Sequence, residues 1–224
     1  MKFDIVLADP PWKMKDSLTM SDVKRGADAH YSTMSTSDLC NLKIAGLANP
    51  TGCILILWVL GSMLQDGMDV MKAWGFHQKQ TLVWVKTKKH IKPTKKNPKP
   101  STHTIDDCLS FGLGRLWRQT HEICLIGINN TGIYKKLKNK SQRSVIFGEN
   151  KGHSIKPESL QDSLDLMFSD VSTKKLEMFA RRDRKGWSCI GNENSTTLGE
   201  DIVDSITRLK NEPEPVSPDI ITEP

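Results

Sequence analysis

The sequence contains no Cys-x-x-Cys pair, and its five cysteines, Cys40, Cys53, Cys108, Cys124 and Cys189, are odd in number and widely scattered. That spacing argues against a zinc site or a disulfide framework and predicts reduced, buried thiols and no metal. No apolar run approaches the ~20 residues of a membrane helix, so no membrane role is expected. Met1-Lys2 leads straight into an apolar run with no room for a leader, and the chain reads as cytoplasmic. Gly112 and Gly114 follow no clear strand and lack GxGxxG spacing, which excludes a dinucleotide fingerprint there. Internal repeats are also missing. At 224 residues, 37% hydrophobic and 26% charged, the chain is sized for one domain, or one domain with a tail.

Charge is present and unevenly placed. The net value is +6 with a pI near 9.0. From Lys86 to Arg143 there are 14 Lys/Arg against Asp106, Asp107 and Glu122. From Leu198 to Pro224 there are seven acids against Arg208 and Lys210. A basic middle and an acidic end predict a polyanionic partner on the middle.

Residues Phe3 to Ala8 form an apolar run that stops at Asp9-Pro10-Pro11-Trp12. Proline cannot donate to a sheet ladder and pushes the residue before it toward extended geometry. Asp9 is therefore expected at a strand's carboxyl end, where open α/β sheets bind ligands. An acid, rigid prolines and an indole at one strand tip suit a planar ring bearing an exocyclic amine, and equally suit a Pro-Pro turn with a capping Asp.

Downstream, Lys13 to Ser32 is polar and predicts a lid or substrate-contact loop. A helix start at Ser35 to Asp38 is followed by a turn at Asn49 to Gly52 and a buried strand at Cys53 to Val59. Next come a helix from about Ser62 to Trp74, closed by Gly75, and a strand from Gln80 to Val85. Thr87 to Asp107 is rich in lysine and proline and too polar to pack. Strands are expected at Ile123 to Ile128, Val145 to Phe147, Lys175 to Arg181 and near Gly186 to Glu193. A helix is expected from Pro157, with Leu160, Leu164, Met167 and Phe168 inward. Lys156 would then sit at a helix amino end, where the dipole disfavours a cation and a bound carboxylate would explain it. Strands alternating with helices predict an α/β fold. Residues 1–194 read as one domain with a basic loop at 87–107, and residues 195–224 as an acidic, proline-containing, disordered tail.

Several stretches in order resemble one family. They are Asp9-Pro10-Pro11-Trp12, His30-Tyr31, Leu57-Trp58-Val59, Leu82 to Lys86, His121 to Gly127, His153 to Glu158, Lys175 to Arg181 and Gly191-Asn192-Glu193. The family is the N6-adenine methyltransferases typified by the catalytic subunit of the eukaryotic messenger-RNA adenosine methylation enzyme, and the chain looks like a prokaryotic or phage-type member. The resemblance implies a Rossmann-like methyltransferase with a mixed, mostly parallel sheet, helices on both faces and permuted motif order. It implies S-adenosylmethionine as cofactor and N6 methylation of adenine in DNA. The alternatives are RNA, or a non-catalytic nucleic-acid-binding subunit, in a monomer or homodimer. By resemblance Asp9, Pro10, Pro11 and Trp12 are catalytic. Asp9, Lys156, Arg181, Asn192 and Glu193 hold the cofactor. Trp12 and Tyr31 flank the base. The basic segment adds Lys86, Lys88, Lys89, Arg115 and Arg118 as phosphate contacts, with Lys135 to Lys140 beside them. Ile155 stands where the family often has Arg, and Glu193 where eukaryotic members have Gln.

Overall fold

The computed structural model describes residues 1–14, 33–89, 105–112, 116–152 and 155–213. The described residues build a seven-stranded sheet in the order β5-β3-β4-β2-β1-β6-β7. At its centre are β1 (Ile5–Ala8) and β2 (Ile54–Val59), each buried along its whole length. Continuous apolar runs of this kind form where helices cover both faces of a sheet. β1 pairs in parallel with β2 on one side and with β6 (Lys175–Met178) on the other. β7 (Ser188–Ile190) continues in parallel beyond β6, and β3 (His77–Thr87) pairs in parallel with β5 (Val145–Glu149).

β4 (His121–Ile128) runs against its neighbours β2 and β3. The connection from β3 to β4 carries, among the described residues, only the four-residue α3 (Ile105–Cys108). A link without a crossover helix favours antiparallel return. The first crossover, through α2 (Leu64–Ala73), leaves a gap between β2 and β3 that β4 fills. The amino end of β4 thus lies at the edge where its neighbours present their carboxyl ends.

Alternation along the central strands sorts two cores. Ile5, Leu7, Ile54, Ile56 and Trp58 face Leu160, Leu164 and Phe168, which flank or belong to α4 (Ser159–Met167). Val6, Ala8, Leu55, Leu57 and Val59 face α2 and α1 (Thr36–Asn41) on the other side. A capping box fixes the start of α1: Ser35 Oγ accepts from Asp38 N, and the Asp38 carboxylate accepts from Ser35 N. Gly75, at φ 85°, lets the chain leave α2.

Several boundaries differ from the sequence reading, among them the end of β6, at Met178 rather than Arg181, because the chain turns at Phe179. β3 begins at His77 rather than Gln80, because the ladder with β4 holds a stretch whose side chains are exposed. α4 begins at Ser159, so Pro157 precedes the helix rather than opening it. The stretch read as a tail is folded through residue 213. There, α5 (Ile202–Asn211) is capped by Asp201, whose side chain accepts from Val203 N, and buries Ile206 and Leu209 in the core.

Candidate active site

The carboxyl edge of the sheet gathers four charged side chains from distant parts of the sequence. Asp9 follows β1, Lys86 lies near the end of β3, Glu122 opens β4 and Lys156 precedes α4. Lys156 Nζ lies 2.9 Å from Asp9 Oδ2 and 3.2 Å from Glu122 Oε2. The other Glu122 oxygen is 2.6 Å from Lys86 Nζ. Two carboxylates and two ammoniums thus form a neutral, alternating chain. The Asp9 side chain is the most open, 32% exposed, against 17% for Lys156.

Two indoles support this chain. Lys156 Nζ lies 5.4 Å from the centre of the Trp58 ring, and Lys86 Nζ 5.3 Å from that of Trp84. The two rings meet edge to face with centroids 6.2 Å apart. Cations over indole faces gain electrostatic attraction that partly offsets desolvation. Burial would raise the Glu122 carboxyl, but Lys156 and Lys86 outweigh it and hold the group below its ordinary value. Burial would lower Lys156, yet Asp9 and Glu122 raise it above the ordinary lysine range. Both groups are held charged. Lys156, whose position the sequence reading explained by a bound carboxylate, has two carboxylates of the chain itself, Asp9 and Glu122, as partners.

The segment after Asp9 is fixed by its backbone. Trp12 N donates to Pro10 O at 2.9 Å, and Met34 N to Pro11 O at 2.8 Å. Pro10 O keeps one lone pair available. Trp12 does not serve as the open stacking face read from the sequence. It is 5% exposed, and its indole N–H donates to Trp58 O at 3.0 Å. That bond seats the strand tip on β2, because a buried indole N–H needs a partner.

A second cluster lies past β6 and β7. Phe179 follows β6 with φ 61°, a left-handed conformation rare outside glycine. It turns the chain so that Ala180 N donates to Ile190 O at 2.9 Å, and a Cβ on Gly191 would collide with the Ala180 backbone. The close crossing brings Arg181 to Glu193, with 3.4 Å between Nε and Oε2, and places exposed Asn192 beside them. Strained backbone of this kind concentrates at functional sites.

Other residues singled out from the sequence are dispersed. Lys86 is 13% exposed and pairs with Glu122, so it belongs to the charged chain rather than to a phosphate-binding surface. Lys88 Nζ donates to Asp107 O, Lys89 is exposed, and the Arg118 guanidinium lies over the Phe111 ring. Lys135 to Lys140 follow β4 at the opposite edge, where Lys136 pairs with buried Asp4 just before β1. Tyr31 and Arg115 lie outside the described residues. Glu122 was missed as a site residue. Its signal was an acid opening an apolar strand, and it reaches the site only because β4 is reversed.

A family model described as MT-A70 matches residues 3–193. A rice protein named probable N(6)-adenosine-methyltransferase MT-A70-like is 25% identical over 195 residues, covering 86% of this chain and 23% of its own length. The human N(6)-adenosine-methyltransferase catalytic subunit METTL3 is 25% identical over 197 residues, covering 86% and 28%. An Arabidopsis protein named N6-adenosine-methyltransferase non-catalytic subunit MTB is 32% identical over 133 residues, covering 58% and 14%. The chain spans about a quarter of the length of the first of these relatives.

Proposed function

Because the chain belongs to the MT-A70 family, we propose that it transfers a methyl group from S-adenosylmethionine to the N6 amine of adenine in a nucleic acid. Members of this family use S-adenosylmethionine as methyl donor. The observation that carries the reading is Asp9, partly open at the sheet's carboxyl edge and held by a half-buried Lys156.

The donor set fits the cofactor. Lys156 suits the methionine carboxylate and Asp9 its ammonium. Arg181, Asn192 and Glu193, drawn together by the Gly191–Ala180 crossing, suit the ribose hydroxyls and the adenine rim. When bound, S-adenosylmethionine supplies a methyl group on an electrophilic sulfonium.

The adenine amine is a poor nucleophile because its lone pair is shared with the ring. Asp9 and the Pro10 carbonyl would accept its two hydrogens and draw the nitrogen toward tetrahedral geometry, which frees its lone pair for a methyl donor. Holding reactants in line in this way supplies ~7–11 kcal/mol in favourable cases. The Asp9 carboxylate, 32% exposed, then lets the released proton pass to water. Lys156 and Glu122 hold Asp9 in place during this exchange.

DNA is the first reading of the polymer, as expected from the sequence. RNA is the second, favoured by relatives named N(6)-adenosine-methyltransferases. The name of the Arabidopsis relative raises a non-catalytic role, against which stands the intact pairing of Asp9 with Lys156. Transfer of labelled methyl to matched DNA and RNA oligonucleotides tests all three. Asp9→Ala is expected to remove at least ~99% of the activity, since both alignment and charge are lost. An unchanged rate would refute the assignment.

A further inference from the structure

Between β3 and β4 the chain forms a short two-stranded arm at the edge that carries Asp9. Its stem is anchored: Lys88 N donates to Cys108 O at 2.9 Å, and Ser110 N to Lys86 O at 2.8 Å. Asn150 Nδ2 holds Ser110 Oγ at 3.0 Å. Above the stem, Gly112 and Gln119 exchange both backbone hydrogen bonds, at 2.9 and 3.1 Å. The tip then presents Leu116 and Trp117, which are 93% and 85% exposed.

Large apolar side chains standing together in water on a hydrogen-bonded stem point to a binding surface. Cations flank this one. The Arg118 guanidinium lies 5.9 Å from the centre of the Phe111 ring, and exposed Lys89 lies at the foot of the stem. The strand leaving the tip reaches Glu122 and the Asp9–Lys156 pair. An indole among cations, five residues along the chain from Glu122, matches stacked bases within a charged backbone.

We propose that Trp117 is a wedge for duplex DNA, entering the base stack beside the target and filling the gap left when the adenine turns out toward Asp9. The proposal rests on the adenine methyltransferase reading. A paired adenine cannot present its amine in line with a methyl donor, so it must leave the stack, and apolar wedges assist such unstacking.

A long mixed-sequence DNA duplex with 2-aminopurine replacing part of its adenine reports unstacking by its fluorescence and needs no methyl transfer. Wild-type protein is expected to raise the signal, Trp117→Phe to keep most of the rise and Trp117→Ala to lose it. Equal signals from wild type and Trp117→Ala, including none from either, overturn the wedge. In labelled-methyl assays Trp117→Ala should lower the rate on duplex about tenfold more than on single strands, as loss of a base–aromatic stack implies. An equal loss on both, together with a change of molecular mass by light scattering, would make the tip a subunit contact and also overturn the proposal. If wild type unstacks the duplex but methylates neither form, the methyltransferase reading fails while the wedge stands.

Discussion

Glu122 touches two lysines, and this double contact sets its energetics. Replacing it by Gln leaves Lys86 and Lys156 with one anionic partner, Asp9, between them. Breaking a buried pair costs ~3–5 kcal/mol, and the loss here should fall below that because an amide oxygen still accepts. The pH dependence has a definite sign. A carboxyl whose folded pKa lies below its unfolded value stabilises the fold fully above the unfolded value and loses that contribution as pH falls through the folded one. Glu122 is such a group. The stability gap between wild type and Glu122→Gln should therefore be widest above about pH 4.3 and close as the solution is acidified further. Urea unfolding from pH 7 to pH 3 measures it, and a gap that widens in acid would refute the coupling. At this scale the sequence was partly legible. Asp9 was readable because Asp-Pro-Pro cannot continue a strand. The burial of Trp12 was not, because a bond from its indole to a carbonyl 46 positions away leaves no local pattern.

The elements were legible where burial is two-sided. β1, β2 and β4 announce themselves as apolar runs, and α2 as a periodic segment closed by Gly75. The first three residues of β3 were missed because His77 to Lys79 carry exposed side chains and owe their conformation to the partner strand. α5 falls in the stretch that reads as an acidic, disordered tail, since its polar face dominates the composition. Its inner face nonetheless carries Ile206 and Leu209 at 2% and 4% exposure. Leu209→Ala should cost ~2–5 kcal/mol in urea unfolding, as other buried Leu→Ala changes do. A loss below about 0.5 kcal/mol, the scale of surface substitutions, would mean that α5 adds nothing to the domain.

At the scale of the whole molecule, the reversal of β4 divides the positive charge. Eight residues of strand carry the chain from the candidate site to the far edge, ~25 Å away. Lys89 and Arg118 lie at the edge of the sheet that carries Asp9, whereas Lys138 and Lys140 lie beyond the other end of β4. A count along the sequence merges two groups that the fold separates. In nucleic-acid binding measured across salt concentrations, replacing both Lys89 and Arg118 by Ala should lower the magnitude of the log–log slope by about two, near one per lost phosphate contact. Replacing Lys138 and Lys140 should leave the slope unchanged. The reverse result would move the nucleic-acid path to the far edge.

The position of β1 between β2 and β6 also sets a timetable. Lys174, which leads into β6 and donates to Asp4 just before β1, is made 170 positions after it. At ~5–20 residues per second, a ribosome takes roughly 10–30 s to deliver that partner. Through that interval one side of the most apolar strand has no native neighbour. The central sheet can close only once β6 has been made, so a chain stalled before residue 175 carries a bare strand edge that chaperones or proteases would meet first.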